Sequence, residues 1–261
     1  MRTKRLAVLL GPTALALILA CGNGTPKYYL QSAAYPTNVQ ACRALNKFDR
    51  YRYKFEFRMT SPLPAGPIDA DKVGSPPFGI APDSPDFELG QEHRGAIVNP
   101  DKIDLTISTP DFPNYGMRFV EGDQWMNIDG TWELADDPAP YNYSPALVCH
   151  SIMAGLQPIG TSTPEKVNGL DTSHYQLKDV ALLTGSYLFN GGSDMGRLLK
   201  RYTVDVWLTE DGWPARLKSE SRGTYPSGRE LFLKLSLEIT DVNSEDISVE
   251  RPPTGAGAPG P

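Results

Sequence analysis

Hydrophobic and polar residues alternate without a break over YRYKFEFRM, residues 51–59. The tyrosines, phenylalanines and Met59 fall on one face, and the arginines, lysine and glutamate fall on the other. A period of two is typical of a β-strand with one buried and one solvated face. The pattern recurs in KIDLTIS (102–108), YTVDVWL (202–208) and RELFLKLSLEIT (229–240). In YTVDVWL it directs Val204, Val206 and Leu208 inward and leaves Trp207 exposed on the opposite face.

Turn sequences separate these strands. Asp129-Gly130 lies between QWMNI and TWEL, and Asp211-Gly212 follows the strand that ends near Leu208. An Asp-Gly pair readily adopts the positive φ angles of a two-residue hairpin turn. Pro226-Ser227-Gly228 forms a third turn, and FELGQEHRGAIV (87–98) supplies a further strand. Consecutive hairpins predict a meander, and one-sided strands predict a large antiparallel sheet covered on one face.

Helical segments are fewer and short. We predict helices within residues 38–48 and 145–156, and two more within DVALLTGSYLF (179–189) and SDMGRLLKRY (193–202). A sheet that is wet on one side needs an apolar cover on the other, which these helices can supply. The predicted fold class is therefore α+β, with a curved antiparallel sheet that wraps a few helices.

The N-terminus has the layout of an export signal. Basic residues at positions 2, 4 and 5 precede an apolar stretch that is too short and too interrupted for a spanning helix. Ile18-Leu19-Ala20 stands directly before Cys21, which resembles the bacterial lipobox, where the cysteine is acylated and becomes the first residue. We therefore predict a lipoprotein signal peptide over residues 1–20 and lipid attachment at Cys21. The alternative is an ordinary signal peptide that is cut near Ala20.

Two other cysteines, Cys42 and Cys149, lie in predicted helices. Outside the cytoplasm such a pair can persist as a disulfide, and we predict this bridge. Two unpaired buried cysteines are the alternative, since free cysteine is common in protein cores.

Charge narrows the class of partner. The full chain carries a formal net charge of −6, and loss of the three basic residues of the signal leaves 22 basic against 31 acidic residues, or −9. An acidic surface argues against nucleic acid as a partner. Membrane attachment would then depend on acyl chains at Cys21.

Two segments lack a core-forming pattern. Residues 61–86 carry seven prolines and join the first strand to the next, as a disordered linker or a functional flap over a cavity mouth. RPPTGAGAPGP (251–261) is predicted to be a disordered tail.

The sequence contains no recognisable catalytic or metal-binding motif, and we expect no catalytic residues, metal site or cofactor. His93, His150 and His174 are isolated from one another in sequence, and GGSDMG (191–196) lacks the second glycine of a G-x-S-x-G nucleophile elbow. DADKVG (69–74) begins like a calcium loop, but Ile80 stands where the bidentate glutamate belongs.

The lipobox, a short helix, the alternating first strand and the hairpins around GDQWMNIDGTWEL together resemble the LppX/LprAFG-type bacterial lipoproteins. YTVDVWLTEDGWPARLKSES, followed by a long last strand, is similar to the same group, which shares the half-barrel of the LolA and LolB lipoprotein carriers. The resemblance implies a lipidated tether over residues 21–37 and one LolA-like lipid-binding domain over residues 38–250. It implies a lipid or lipidated ligand, an envelope transport protein as a further partner, and a location on the extracytoplasmic face of the bacterial membrane.

The residues expected to line an acyl-chain cavity share the inward face of the predicted strands. They are Tyr53, Phe55, Phe57, Leu105, Ile107, Phe119, Trp125, Val206, Leu208, Leu233 and Leu235. If they form a cavity, Phe57→Arg is expected to abolish lipid binding while the protein still folds. The same side chains can instead pack as an ordinary core.

A third class of function is a ligand-free envelope sensor or protein-interaction module on the same scaffold. Trp207 and the hairpin tryptophans at positions 125, 132 and 213 would then form a docking patch. Their alternative role is to hold the hairpins together through cross-strand packing.

Overall fold

A computed structural model of the chain describes residues 37–62, 87–110, 112–136, 144–153, 161–177, 199–224 and 228–253. These ranges contain eleven strands and two helices. In chain order they are α1 (Thr37–Ala44), β1 (Arg50–Ser61), β2 (Phe87–Val98), β3 (Lys102–Thr109), β4 (Phe112–Val120), β5 (Asp123–Ile128), β6 (Thr131–Leu134), α2 (Pro145–Met153), β7 (Thr163–Val167), β8 (Leu170–Leu177), β9 (Leu199–Thr209), β10 (Pro214–Thr224) and β11 (Glu230–Thr240).

All eleven strands belong to one antiparallel sheet, in the order β6-β5-β4-β3-β2-β1-β11-β10-β9-β8-β7. The sheet consists of two meanders, β1–β6 and β7–β11, which meet where β1 pairs with β11. It does not close, because β6 and β7 end the order on opposite sides. The predicted large antiparallel sheet is confirmed. The α+β assignment is confirmed only in part, since sheet dominates the described residues.

The alternation in β1 has the predicted consequence. All five odd-numbered residues from Tyr51 to Met59 are buried, and their register partners in β11 continue the apolar surface. Phe57, for example, lies between Leu235 of β11 and Gln91 of β2. We call the face that carries these side chains the inner face.

The opposite, outer face is polar along the central strands. Arg216 and Glu238 form an ion pair of 2.8 Å between β10 and β11, and Lys234 and Glu220 form another of 2.8 Å. The Lys234–Glu220 pair is exposed, and a pair of that kind stabilises the fold by less than about 1 kcal/mol. The outer face therefore gives the sheet its solvated side rather than most of its stability.

The hairpin turns follow the chemistry of their sequences. Asp129 and Gly130 have φ angles of 55° and 83° and form a two-residue loop between Ile128 and its partner Thr131. This hairpin is confirmed. Asn168-Gly169 forms the same kind of loop between β7 and β8, with φ angles of 52° and 81°. Neither β7 nor β8 was predicted from the sequence.

The helices lie at the β10–β11 side of the sheet. Helix α1 packs against α2, and α2 packs against β10 and β11. Cys42 of α1 and Cys149 of α2 are joined in a disulfide with their Cα atoms 5.5 Å apart. No helix within the described ranges is long and apolar enough to cross a membrane.

Two sequence expectations about β9 were wrong. Leu199, Lys200 and Arg201, expected at the end of a helix, begin β9, and the rest of both predicted helices (179–189 and 193–198) lies outside the described residues. Trp207 faces away from Val206 as predicted, but it is only 6% exposed because neighbouring side chains on the outer face cover it. Leu208 is half-buried against the core.

The segment after β11, residues 241–253, contacts the outer face, and we call it the C-terminal strap. Arg50 Nη1 of β1 donates to the Ile247 carbonyl at 3.0 Å, and Arg118 Nη1 of β4 donates to the Glu250 carbonyl at 3.0 Å. Ile247 and Val249 are buried. The strap includes the first residues of the predicted tail: Arg251 forms ion pairs with Glu121 and Asp123 of the β4–β5 hairpin, and Pro252 is buried.

Candidate functional site on the inner face

Eight of the eleven predicted cavity residues lie together in the buried cluster of the inner face. These eight, none more than 5% exposed, are Tyr53, Phe55, Phe57, Leu105, Ile107, Val206, Leu233 and Leu235. Phe119 and Leu208 are half-buried and pack against the cluster. The structure thus brings ten of the predicted residues to one surface, where they are covered by protein.

Trp125 was predicted to lie on the inner face, but the structure places it on the outer face. The β4–β5 register pairs Phe119 with Gln124 and Arg118 with Trp125. Since successive residues of a strand point to opposite faces, Gln124 shares the inner face with Phe119, and Trp125 shares the outer face with Arg118. The tryptophan is buried but does not belong to the inner cluster.

Polar side chains that were not predicted from the sequence interrupt the inner face. Gln91, His93, Ser219 and Ser221 are all buried, although they sit at positions where the neighbouring strands place apolar groups. Gln91 lies beside Phe57, and Ser219 lies beside Leu235 in the same cross-strand row. A break in hydrophobic alternation at Gln91 and His93 is the sequence signal for this set.

Two of these groups on β2 have contrasting surroundings. The ring of His93 packs edge-on against Phe55 with centroids 5.3 Å apart, and burial lowers its pKa to about 3. The imidazole is therefore neutral at ordinary pH. Gln91 Oε1 is buried and accepts no hydrogen bond from the described residues.

A second buried oxygen lies at the end of β3. The β2–β3 register pairs Glu92 with Ser108, so the next position along places Thr109 opposite Gln91. Thr109 Oγ1 is also buried and has no hydrogen-bond partner among the described residues. Ser221 Oγ on β10 is in the same state. Buried polar atoms in native proteins are nearly always paired, so this group calls for an explanation.

Arg229 occupies the end of the inner face where β1 ends and β11 begins. Its Nε donates to Ser61 Oγ at 2.8 Å, and its Nη2 donates to the Ser61 carbonyl at 2.5 Å. The Ser61 hydroxyl in turn donates to the Glu230 carbonyl at 2.7 Å. These bonds tie the two central strands together and place a buried guanidinium beside the apolar cluster.

An aromatic cluster on the outer face explains why Trp207 is covered. His174 of β8 stacks on its ring with centroids 4.3 Å apart, and Arg216 of β10 lies over the ring at 5.6 Å. Trp207 Nε1 donates to Glu165 Oε2 at 2.8 Å, and His174 Nε2 lies 2.9 Å from Asp205 Oδ1. The cluster links β7 through β10.

The other tryptophans also make cross-strand or interelement contacts. Trp132 of β6 packs over Gly116 and receives the Arg118 guanidinium at 4.7 Å, while Trp213 meets Phe48 edge-on at 5.3 Å. This arrangement favours the hairpin-holding role over a tryptophan docking patch.

The described part of the chain was expected to lack a metal site, and its His, Cys, Asp and Glu side chains can be compared with what a metal ion needs. It contains no group of three His, Cys, Asp or Glu side chains that could hold a metal ion. Cys149 is in a disulfide, and burial, with a contribution from Arg43, lowers the pKa of the adjacent His150. Cys21 and the 63–86 part of the proline-rich segment lie outside the described residues.

Comparison with known proteins gives structural neighbours only. No protein-family model and no curated protein matches the chain. A structure assigned as an outer membrane lipoprotein-sorting protein domain from Vibrio parahaemolyticus matches over 81% of this chain and 92% of its own, at 10% identity and a TM-score of 0.22. MucB in complex with MucA(peri) matches over 79% of this chain and 56% of its own, at 11% identity and a TM-score of 0.26.

A further match is the MucA/MucB complex of Pseudomonas aeruginosa, at 12% identity and a TM-score of 0.28 over 81% of this chain and 60% of that one. The aligned region spans less than two thirds of both MucB-complex chains. At these identities and TM-scores, the likeness assigns neither a family nor a function to the chain.

Proposed function

We propose that this protein is a bacterial cell-envelope lipoprotein that binds a lipid or other acyl-bearing ligand on the inner face of a LolA-like half-barrel. It would hold, carry or present that ligand rather than transform it. Acylated Cys21 would anchor it to the extracytoplasmic face of the membrane.

The observation that carries the proposal is the breadth of the inner face. The apolar side chains of this face extend from Leu105 of β3 to Val206 of β9, five strand-to-strand steps apart, with the polar positions described above between them. Neighbouring strands lie about 4.8 Å apart, so the surface is roughly 24 Å wide. An acyl chain gains about 0.8 kcal/mol for each methylene that it buries there.

Burial sets a condition on binding. Because the eight clustered residues are already covered, an acyl chain has to displace the part of the protein that packs on them. The same packing favours a second candidate function, a ligand-free envelope module that acts by binding a protein partner. The two candidates differ in whether protein purified from its host carries a bound lipid.

Lipid content of variants tests the proposal. Phe119 is half-buried at the margin of the cluster, so Phe119→Glu places a charge on the inner face with less risk to folding than Phe57→Arg. The latter is now expected to unfold the protein, since Phe57 is buried in the core. Leu134→Glu is the matched control, because Leu134 is 52% exposed on an edge strand.

We expect lipid extracted from purified Phe119→Glu protein to fall at least about tenfold relative to wild type, with Leu134→Glu unchanged. Thermal unfolding of each variant provides the check on folding. Equal lipid in all three folded proteins would contradict binding at the inner face. No lipid in the wild type would favour the ligand-free module.

A further inference from the structure

The inner face carries a small polar site at the β2–β3 position defined by Gln91 and Thr109. Both contribute a buried oxygen without a hydrogen-bond partner among the described residues. The β2–β3 register pairs Glu92 with Ser108, and continuing it by one residue sets Gln91 and Thr109 opposite each other on adjacent strands. Residues directly opposite in an antiparallel pair have Cβ atoms about 5 Å apart. One small group can therefore reach both oxygens.

The surroundings of this site are apolar or neutral. Phe57 flanks Gln91 on β1, Ile107 precedes Thr109 on the same face of β3, and His93 lies two residues from Gln91 on the same face of β2. Burial keeps the His93 imidazole uncharged. A carboxylate or phosphate held here would meet no cation on the inner face of these three strands, and the buried Arg229 guanidinium at the end of that face already donates to Ser61, which makes a charged group unfavourable.

The two oxygens cost stability as long as they remain unpaired. Replacing either residue by an apolar one of similar shape would remove a desolvated acceptor, a change that is ordinarily neutral or stabilising. A group that pairs with them recovers that cost. Gln91 Oε1 needs a donor, and Thr109 Oγ1 can donate or accept, so a hydroxyl satisfies both.

We infer that Gln91 and Thr109 recognise an uncharged hydroxyl group of the acyl ligand and so select hydroxyl-bearing lipids over apolar or anionic ones. This inference rests on the proposed function, since it needs an acyl ligand on the inner face. It adds a chemical preference and the two residues that determine it.

A matched pair of ligands isolates the hydroxyl. Oleyl alcohol and oleyl methyl ether share one hydrocarbon chain and differ in the donor, and oleate supplies the charged comparison. Each is titrated into the full chain carrying Cys21→Ser, and displacement of N-phenyl-1-naphthylamine reports binding. One recovered hydrogen bond predicts roughly tenfold preference for the alcohol over the ether in this protein. Oleate is expected to bind no more tightly than the ether.

Gln91→Leu is expected to abolish the preference while affinity for the ether is unchanged or increased. Gln124→Leu is the matched control, because Gln124 is also a buried glutamine with an unpaired Oε1 on the inner face, but it lies on β5. It should keep the full preference. Thr109→Val is the second variant, and it should reduce the preference even if Gln91→Leu fails to fold.

Equal binding of alcohol and ether by the parent Cys21→Ser protein would overturn this inference and leave the proposed function standing, as expected if water occupies the site. Loss of preference in Gln124→Leu as well would also overturn it, since the effect would not be local. Failure of every ligand to displace the probe from that parent protein would instead count against acyl binding itself.

Discussion

At the scale of single residues, His93 shows how one buried group couples stability to pH. Its imidazole packs against Phe55 inside the sheet, and burial lowers its pKa to about 3, whereas an unfolded histidine titrates near 6.5. Between these values the unfolded chain binds a proton that the folded chain does not. Folding stability is therefore complete above about pH 6.5 and is lost as pH falls toward 3.

His93→Gln tests that coupling. Between pH 7 and pH 5.5 the histidine is expected to cost the wild type about 1 kcal/mol of unfolding free energy, and the variant should lack this part of the loss. Urea unfolding at both pH values measures it. Because His150 is also buried with a lowered pKa, the variant should keep a smaller slope. An unchanged slope would show that His93 is solvated or charged in the fold.

Gly95 of β2 lies where the surrounding atoms leave no room for a side chain. A Cβ atom there would lie 2.5 Å from the Asp104 carbonyl oxygen and 2.8 Å from the Tyr53 ring. Gly95→Ala is expected to lower stability by about 1–3 kcal/mol, measured by chemical denaturation. Gly90→Ala on the same strand is the control, since its Cβ would meet ordinary contacts from 3.6 Å outward. Equal effects of the two changes would contradict the close packing of Tyr53 on Gly95.

At the scale of elements, the sequence pattern predicted those strands in which apolar and polar residues alternate. β1, β3 and β11 carry uninterrupted alternation and were predicted with their buried faces. β7 and β8 were missed because TPEKV and LDTSHYQL contain few apolar residues, as expected for strands at a solvated sheet edge. Only Asn168-Gly169 signalled that hairpin.

The tryptophans show what the alternation of apolar and polar residues does not predict about a strand. Periodicity correctly set Trp207 opposite Val206, but it could not reveal that His174 and Arg216 cover the outer face at that point. For Trp125 the missing information was the β4–β5 register, which pairs it with Arg118. Both depend on contacts between strands that are distant from the residue in sequence.

The C-terminal strap is an element that composition alone did not reveal. Ile247 is buried, and its carbonyl accepts a hydrogen bond from Arg50. Ile247→Asp is expected to destabilise the protein by about 3 kcal/mol, because it removes apolar burial and desolvates a carboxylate. Ser248→Asp, at an exposed neighbouring position, should have little effect. Equal urea midpoints for both variants would show that the strap does not pack on the sheet.

At the scale of the whole molecule, the Cys42–Cys149 disulfide links positions 107 residues apart and holds α1 to α2. A loop of that size predicts that Cys42→Ser with Cys149→Ser loses about 4–5 kcal/mol in the chain-entropy model. Reduction of the wild type should produce the same loss in thermal unfolding. Two free thiols in the denatured, unreduced wild type would contradict the bridge.

The proposed function depends on the inner face of the sheet. The sequence predicted ten of its residues but not its polar positions, because Gln91 and His93 interrupt the pattern that predicts buried strands. What packs on this face decides between a lipid-binding protein and a ligand-free module.

Native mass spectrometry of the Cys21→Ser chain, exported by its own host and purified without detergent, shows whether the protein carries an acyl lipid. We predict a population heavier than the polypeptide by the mass of an acyl lipid, which organic extraction then releases. A single mass equal to that of the polypeptide, from a protein that unfolds cooperatively, would contradict acyl-ligand binding at the inner face.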